Sequence, residues 1–407
     1  MSVRRVAVFS MHTSPLAQPG AGDGGGMNVY VRALARALAR AGVDCDVYTR
    51  AEHAAQPLVV QVERGFRVVH VEAGPRAPLA KYELAGLVDA FVDAAVDRMR
   101  GFDPVDVLHA NYWLSGAIAH RLKHELGLPL VATFHTLARV KARAGFDDDP
   151  ALRTRTEQEV IACADLMLAS TDDERAQLAS LYDADPERIE VVPPGVDHAV
   201  FAPGDRRRAR RRLRLGSGRV ILFAGRIQPL KGLTLAIRCV AALADPNVTL
   251  LVVGGPSGGE GDVELRRAHV LVDELGLHQQ VRFVPPQRHE LLADYYRAAD
   301  VCVVPSRTES FGLVALEAAA CGTPVVASAV GGLRSLVDDG VTGCLVDSRD
   351  PADFAEAVAR LLHDDEFARE MGANAAARSR RYSWSMTAAR LRRLYGDLAV
   401  RGLVRCD

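Results

Sequence analysis

Short apolar runs alternate with stretches of helical spacing along the chain. Val6 to Met11 is a β-type run, and Asn28 to Arg40 carries apolar residues at helical intervals. Cys45 to Thr49, Val68 to Val71, Val105 to His109, Leu130 to Phe134 and Leu166 to Ala169 continue the pattern. Such alternation predicts a parallel sheet with crossover helices. Pro193-Pro194-Gly195 and Pro203-Gly204 bracket a turn-rich linker. The rhythm then restarts with Val220 to Ala224, Thr249 to Val253, Gln280 to Phe283, Val301 to Val304 and Pro324 to Ala327. The expected fold class is α/β, with two Rossmann-like doubly wound domains, 1–200 and 201–384, facing a central cleft. A last helical segment within 385–407 is expected to return to the first domain.

A chain of 407 residues suits two domains, and 49% hydrophobic residues fill two cores. Lysine plus arginine total 50 against 51 acidic residues, which gives no general attraction to nucleic acid or membrane. The basic residues are nearly all arginine; the lysines are Lys81, Lys123, Lys141 and Lys231. Seven cysteines form no CxxC pair and show no spacing that suggests zinc or a disulfide framework. A soluble protein of the reduced cytoplasm is expected. The run Val6 to Met11 is too short for a signal peptide, and no stretch approaches the roughly 18 apolar residues of a membrane span.

Arg226 follows the run Val220 to Ala224 at the carboxyl end of a strand, and Lys231 comes five residues later. A guanidinium offers a planar fork to phosphate oxygens, and an ammonium adds a mobile point charge. The bland alternative is two exposed cations at a helix start; the scarcity of lysine and the strand-end position favour a diphosphate site. Glu309 and Glu317 are eight residues apart. With a helix starting near Phe311, Glu317 lies about two turns inside and Glu309 in the preceding loop. Ser310, Phe311, Gly312 and Leu313 then offer free backbone N–H groups to phosphate or sugar oxygens. The apolar residues around Glu317 argue against an ordinary solvated acid.

The GRxxxxKG stretch from Gly225 to Gly232 and the paired glutamates resemble the retaining GT-B glycosyltransferases of family 4, over essentially the whole chain. The resemblance implies that Arg226 and Lys231 hold the donor diphosphate, Glu309 the transferred sugar and Glu317 the ribose. Gly20 to Asn28 is a glycine-rich loop after the first strand, distinct from a GxGxxG dinucleotide loop. His12 to Pro19, Asn111 to Gly116, Thr133 to Leu137 and the segments Leu152 to Thr154 and Glu157-Gln158 resemble the inositol-phosphate glycosyltransferases of mycothiol biosynthesis. That resemblance assigns the acceptor phosphate to Lys81, Tyr112, Thr136 and Arg153, with His12, Asp23 and Asn28 also on the acceptor. It adds Gln18, Pro19 and Gly26 to the donor side, and makes His135 orient the sugar. Asn111 departs from a histidine frequent in that family, the segment Ala144 to Asp149 has a variant spacing, and Arg143 has no assigned role.

The implied reaction moves N-acetylglucosamine from UDP-GlcNAc to 1D-myo-inositol 3-phosphate with retention, without a covalent carboxylate nucleophile. Arg226 and Lys231 would stabilise the leaving diphosphate, assisted by the Gly26 amide. No cofactor is needed for the chemistry, although the resemblance allows Mg²⁺ near Tyr296, Arg297, Ala299 and Thr323. The DxD tripeptides Asp44-Cys45-Asp46 and Asp147-Asp148-Asp149 are placed wrongly for catalysis. The run Arg206 to Arg214 reads as a solvated helix in preference to a peripheral membrane contact. A homodimer is compatible with these features. The competing readings are another family 4 hexosyltransferase, with a sucrose-phosphate-like or lipid-linked acceptor, and a non-catalytic nucleotide-sugar sensor.

Overall fold

β1 (Arg5–Phe9) is apolar on both faces, with Val6 to Phe9 excluded from solvent, because helices cover both sides of its sheet. The computed structural model describes residues 3–20, 22, 24–146 and 150–406. Two compact units emerge, one of Met1–Ala17, Gly26–Gly195 and Trp384–Asp407, the other of Gln18–Gly25 and Val196–Ser383.

The first unit holds eight strands: β1, β2 (Asp44–Arg50), β3 (Val59–Glu63), β4 (Phe66–Val71), β5 (Val107–Asn111), β6 (Leu130–Thr133), β7 (Leu166–Ala169) and β8 (Ile189–Val191). Their order is β3-β4-β2-β1-β5-β6-β7-β8, parallel except for β3 against β4. The chain runs outward in opposite directions from β1 and β5, so the topological switch point lies at their carboxyl ends. The second unit holds β9 (Arg219–Ala224), β10 (Val248–Val253), β11 (Val281–Val284), β12 (Val301–Val304), β13 (Val325–Ser328) and β14 (Gly343–Val346), in the order β11-β10-β9-β12-β13-β14, all parallel. Its switch point lies between β9 and β12.

Three strands lay outside the sequence expectation. β3 is a half-exposed antiparallel edge strand with an irregular register at Gln61 to Glu63. β8 has only three residues, and β14 opens on Gly343. Each lacks the continuous apolar run that marks a buried parallel strand.

The helix Trp384–Leu398 belongs to the first unit and packs on the helix Gly26–Arg40. It buries Trp384, Leu391, Leu394, Tyr395 and Leu398. The Tyr395 hydroxyl lies 2.7 Å from His109 Nδ1, and His109 Nε2 lies 2.9 Å from Thr133 Oγ1. One buried imidazole thus joins the last helix to β5 and β6. The unit boundary falls at 195/196, directly after the Pro193-Pro194-Gly195 turn, five residues before the expected 200/201. Gln18–Gly25 also departs from the expected division, grouping with the second unit, where the Gln18 side chain donates to the Gln287 carbonyl at 2.9 Å. Among the described residues, no helix is long and apolar enough to cross a membrane.

Tyr395→Phe strips the hydroxyl from buried His109. It should lower stability by about 1–3 kcal/mol, read as a lower urea midpoint at unchanged slope.

Candidate active site

The carboxyl ends of β1, β5 and β6 place the acceptor candidates. β5 ends at Asn111, and Tyr112 then turns the chain into the helix Trp113–Leu126 with φ of +75°. β6 ends at Thr133, and His135 has φ of +63°. Neither residue is glycine, so each left-handed conformation costs about 1–3 kcal/mol that the surrounding fold must supply. Arg153, in the first turns of the helix Pro150–Cys163, is buried. Its guanidinium lies 4.9 Å from the Tyr112 ring centroid. Arg153 Nη2 donates to Thr136 O at 2.8 Å and to Thr136 Oγ1 at 3.1 Å. Tyr112, Thr136 and Arg153, distant in sequence, therefore form one contact cluster. Lys81 stands on a separate element, opening the helix Lys81–Ala85 after β4.

Glu157 is a residue that the sequence reading left without a role. It is fully buried, and its Oε1 accepts from Arg153 Nε at 2.8 Å. Its Oε2 accepts from the Ala138 amide at 2.9 Å and from the Tyr182 hydroxyl. The signal was present as the i,i+4 spacing of Arg153 and Glu157. A buried carboxylate with these partners fixes the guanidinium fork in one orientation.

His12 stacks at a tilt on Tyr112, with centroids 4.5 Å apart. Asn28 is buried, and its amide donates to Thr13 Oγ1 at 2.6 Å and Ser14 O at 2.5 Å. It thereby shapes the His12 loop. Asp23 lies outside the described residues, as does Asp147-Asp148-Asp149. His135 Nε2 lies 2.9 Å from Asn111 Oδ1, and its ring packs edge-on against Tyr30 at 4.8 Å. Burial, with a lesser effect of His109, pushes the His135 pKa down to about 3. The imidazole is therefore neutral, and facing a carbonyl oxygen its Nε2 is the donor.

In the second unit, β9 runs into Gly225 and Arg226, whose Nη1 reaches Ser257 Oγ at 3.4 Å. Ser257 precedes the helix Gly258–Glu274 at the end of the glycine-rich loop after β10, a loop that the sequence reading passed over. Gly254 there has φ of +155°, and a Cβ would sit 1.8 Å from the Gly225 carbonyl oxygen. Only glycine lets these strand-end loops approach so closely. A Cβ on Gly25 would lie 2.6 Å from Arg226 Nε, so the Gln18–Gly25 segment covers that guanidinium. Pro19 is half-buried in the same segment, and Gly26 opens the helix Gly26–Arg40 of the first unit.

Lys231 Nζ donates to Glu309 Oε2 at 2.7 Å, and Ser306 Oγ lies 3.3 Å from the same oxygen. This pairs the cation and the carboxylate that the sequence assigned to neighbouring groups of one ligand. A Cβ on Gly331 would meet the Glu309 carbonyl oxygen at 2.1 Å, so glycine is needed behind this loop too. Ser310 is half-buried, and Phe311 is buried with its ring 5.6 Å from that of Tyr382. The helix starts at Leu313, with Gly312 as its N-cap at φ +103°. The start expected near Phe311 is corrected by two residues, because Gly312 takes a left-handed turn. The amides of Leu313, Val314 and Ala315 are then those of the first turn. Glu317 is buried and accepts from the Tyr296 hydroxyl at 2.8 Å. Burial raises its pKa, while His289 and the Tyr296 bond oppose the rise.

Thr323 Oγ1 donates to the Tyr296 carbonyl at 2.7 Å, and the Ala299 amide reaches the same carbonyl at 3.2 Å. Arg297 is tied to the carbonyls of Val200 and Ala202 and to Asp294. This set offers neutral oxygens already bonded within the protein, whereas Mg²⁺ takes carboxylates, phosphates and water. It does not by itself fit a Mg²⁺ site. In Asp44-Cys45-Asp46, Asp46 is buried and accepts from Arg67 Nε at 2.7 Å and Arg5 Nη1 at 3.2 Å, which accounts for it structurally. In the arginine run, Arg206 and Arg210 pair with Asp300 and Arg212 with Asp294, so these three arginines are bound to their own unit.

Residues 24–200 match the model of Glycosyltransferase Family 4, and residues 205–378 that of Glycosyl transferases group 1. A sucrose-phosphate synthase from Thermosynechococcus elongatus aligns with a TM-score of 0.91 at 34% identity, over 97% of this chain and 99% of that one. Anabaena HepE, solved with UDP and glucose, aligns at 0.79 and 21% identity over 97% and 99%, a likeness of fold. The fold is GT-B, and the protein is a glycosyltransferase. A D-inositol 3-phosphate glycosyltransferase of Geodermatophilus obscurus is 48% identical over 94% of this chain and 87% of its own. That of Actinosynnema mirum is 47% identical over 97% of both. The chain belongs to the family of D-inositol 3-phosphate glycosyltransferases.

Glu157→Gln leaves Arg153 buried without its counter-charge and should destabilise the fold by about 3–5 kcal/mol in urea. A pH dependence follows from His109 and His135, each pushed down to about 3 chiefly by burial. Unfolded, both titrate near about 6.5. Below that, the unfolded chain binds protons that the fold refuses. Their contribution to stability is full above about 6.5 and is lost as pH falls toward about 3. Urea midpoints should therefore drop between neutral and mildly acidic buffer, and His109→Gln should flatten the decline.

Proposed function

We propose that the protein transfers N-acetylglucosamine from UDP-GlcNAc to 1D-myo-inositol 3-phosphate, with retention, opening mycothiol biosynthesis in the cytoplasm. The observation that carries this reading is the cluster of Arg153, Tyr112 and Thr136 locked by Glu157. A rigid guanidinium with hydroxyl groups beside it suits a phosphomonoester. Lys81 supplies a second cation for the same group. The names of relatives sharing nearly half of their residues support the same acceptor.

The donor diphosphate is held by Arg226 and Lys231. Glu309 moves from its pairing with Lys231 to the hydroxyls of the transferred sugar, and Glu317 accepts from the ribose. Leu313 to Ala315 and the Gly26 amide offer N–H groups to donor oxygens. The acceptor hydroxyl attacks from the face that the diphosphate leaves, and the leaving phosphate takes its proton. Neutral His135 orients the sugar as a hydrogen-bonding group. Catalysis consists of positioning and of stabilising charge on the leaving group. The chemistry requires no metal, so chelation should leave turnover intact.

The strong likeness to a sucrose-phosphate synthase favours one second reading, transfer to a hexose phosphate. UDP release decides between them. Turnover is expected with UDP-GlcNAc and 1D-myo-inositol 3-phosphate; release only with a hexose phosphate acceptor selects the second reading. Lys81→Ala and Arg153→Ala should each raise the acceptor KM by at least about tenfold, since each removes a charge-assisted bond. Lys231→Ala should lower kcat by about a hundredfold or more, because its charge matters most as the diphosphate departs. Unchanged constants in all three variants would refute these assignments.

A further inference from the structure

Away from the candidate active site, four side chains from three segments of the first unit converge. His120 and His124 lie one turn apart on the helix Trp113–Leu126, Cys163 ends the helix Pro150–Cys163, and Cys406 lies in the C-terminal tail. One ligand atom from each lies within 4.8 Å of all the others. His124 Nε2 is 3.4 Å from Cys163 Sγ and 3.3 Å from Cys406 Sγ, and His120 Nε2 is 3.9 Å from Cys406 Sγ. The two sulfurs are joined as a disulfide in this structure, with Cα atoms 5.1 Å apart. The cysteine spacing suggested neither zinc nor a disulfide framework, because a separation of 243 residues hides these two from any spacing rule.

We propose that His120, His124, Cys163 and Cys406 bind Zn²⁺ tetrahedrally and fasten the C-terminal tail to the first unit. Zinc with bonds of about 2.3 Å to sulfur and about 2.0–2.1 Å to nitrogen sets nitrogen–sulfur edges near about 3.6 Å. The three distances above bracket that edge. A plain disulfide would use two of the four groups and leave the converging imidazoles without a purpose. The i,i+4 histidines point to one spot from one helical face. Two imidazoles and two thiolates form a donor set that zinc favours. Binding starts from the reduced chain: a dithiol reductant cleaves the sulfur–sulfur bond, is itself oxidised to its disulfide, and leaves two thiols; each thiol then gives up its proton as a zinc–sulfur bond forms, with no change of oxidation state at zinc.

The surroundings hold the ligands in place. Lys123 Nζ donates to the Cys163 carbonyl at 2.7 Å and to Asp165 Oδ2 at 2.8 Å. Asp165 Oδ2 also accepts from the Leu130 amide at 2.7 Å, and Oδ1 from the Val404 amide at 2.6 Å. This buried pair fixes the chain beside Cys163 and two residues before Cys406. Arg153 lies ten residues before Cys163 on the same helix, about 15 Å along its axis. The zinc therefore acts on the tail and the helix ends, remote from the acceptor candidates.

The test uses the full chain, purified with a thiol reductant and incubated with Zn²⁺ or Co²⁺, then desalted. Elemental analysis should find about one zinc per chain, and the cobalt form should show tetrahedral d–d bands and thiolate-to-cobalt charge transfer. Cys406→Ser and the pair His120→Ala/His124→Ala should each lose most of the metal while keeping the wild-type circular dichroism. His124 is exposed and Cys406 lies in the tail, so either change is compatible with folding. Wild-type protein that takes up no metal, with an intact mass two hydrogens short, would show a disulfide and overturn the proposal. Full metal content in the double histidine variant would overturn it equally.

Discussion

The buried ion pair between Arg153 and Glu157 is the constraint on which the candidate site of the first unit depends. A lone arginine at that depth would be costly, and a lone glutamate no less so. Paired at 2.8 Å, and tied onward to Thr136, Ala138 and Tyr182, they keep a fixed cation at the end of β6. The Tyr112 ring lies against that cation, with its own backbone in a left-handed conformation. Strain in Tyr112 and His135 and burial of charge thus occur together, at the carboxyl edge where α/β sheets bind ligands. The cost of both is met by the surrounding packing, which holds these polar groups in one arrangement.

The second unit solves a related problem by different means. Its cations stay nearer the surface and are held by loops packed backbone on backbone, through Gly254 against Gly225 and Gly331 against Glu309. Lys231 is paired with Glu309 at 2.7 Å. A diphosphate would draw the ammonium away and leave the carboxylate for sugar hydroxyls. Such an exchange conserves the charge balance of the site.

The parallel strands were legible because helices cover both faces of each sheet, which forces continuous apolar runs such as Val220 to Ala224 and Val301 to Val304. β3, β8 and β14 were not, being short, half-exposed or opened by glycine. Arg226, Lys231, Glu309 and Glu317 stood out because charge beside a buried strand or inside an apolar helix needs a reason. Glu157 escaped because an i,i+4 acid on a polar helix looks like surface decoration until its burial is known. Ser257 escaped because only a fold shows which loops flank Arg226. The convergence of His120, His124, Cys163 and Cys406 was invisible for the same reason: no local spacing carries a contact across 243 residues. The bonds from the Asn28 amide to Thr13 and Ser14 were likewise not readable from residue type alone.

The central claim is that the Arg153 cluster is a receptor for a phosphate on the acceptor. Calorimetric titration of wild-type protein with 1D-myo-inositol 3-phosphate and with unphosphorylated myo-inositol tests it most directly. The account predicts that the phosphate tightens binding by about a hundredfold, and that Arg153→Lys erases most of that preference, because the ammonium lacks the planar fork. Equal affinity for the two cyclitols, or an Arg153→Lys protein that still prefers the phosphate as strongly, would contradict it.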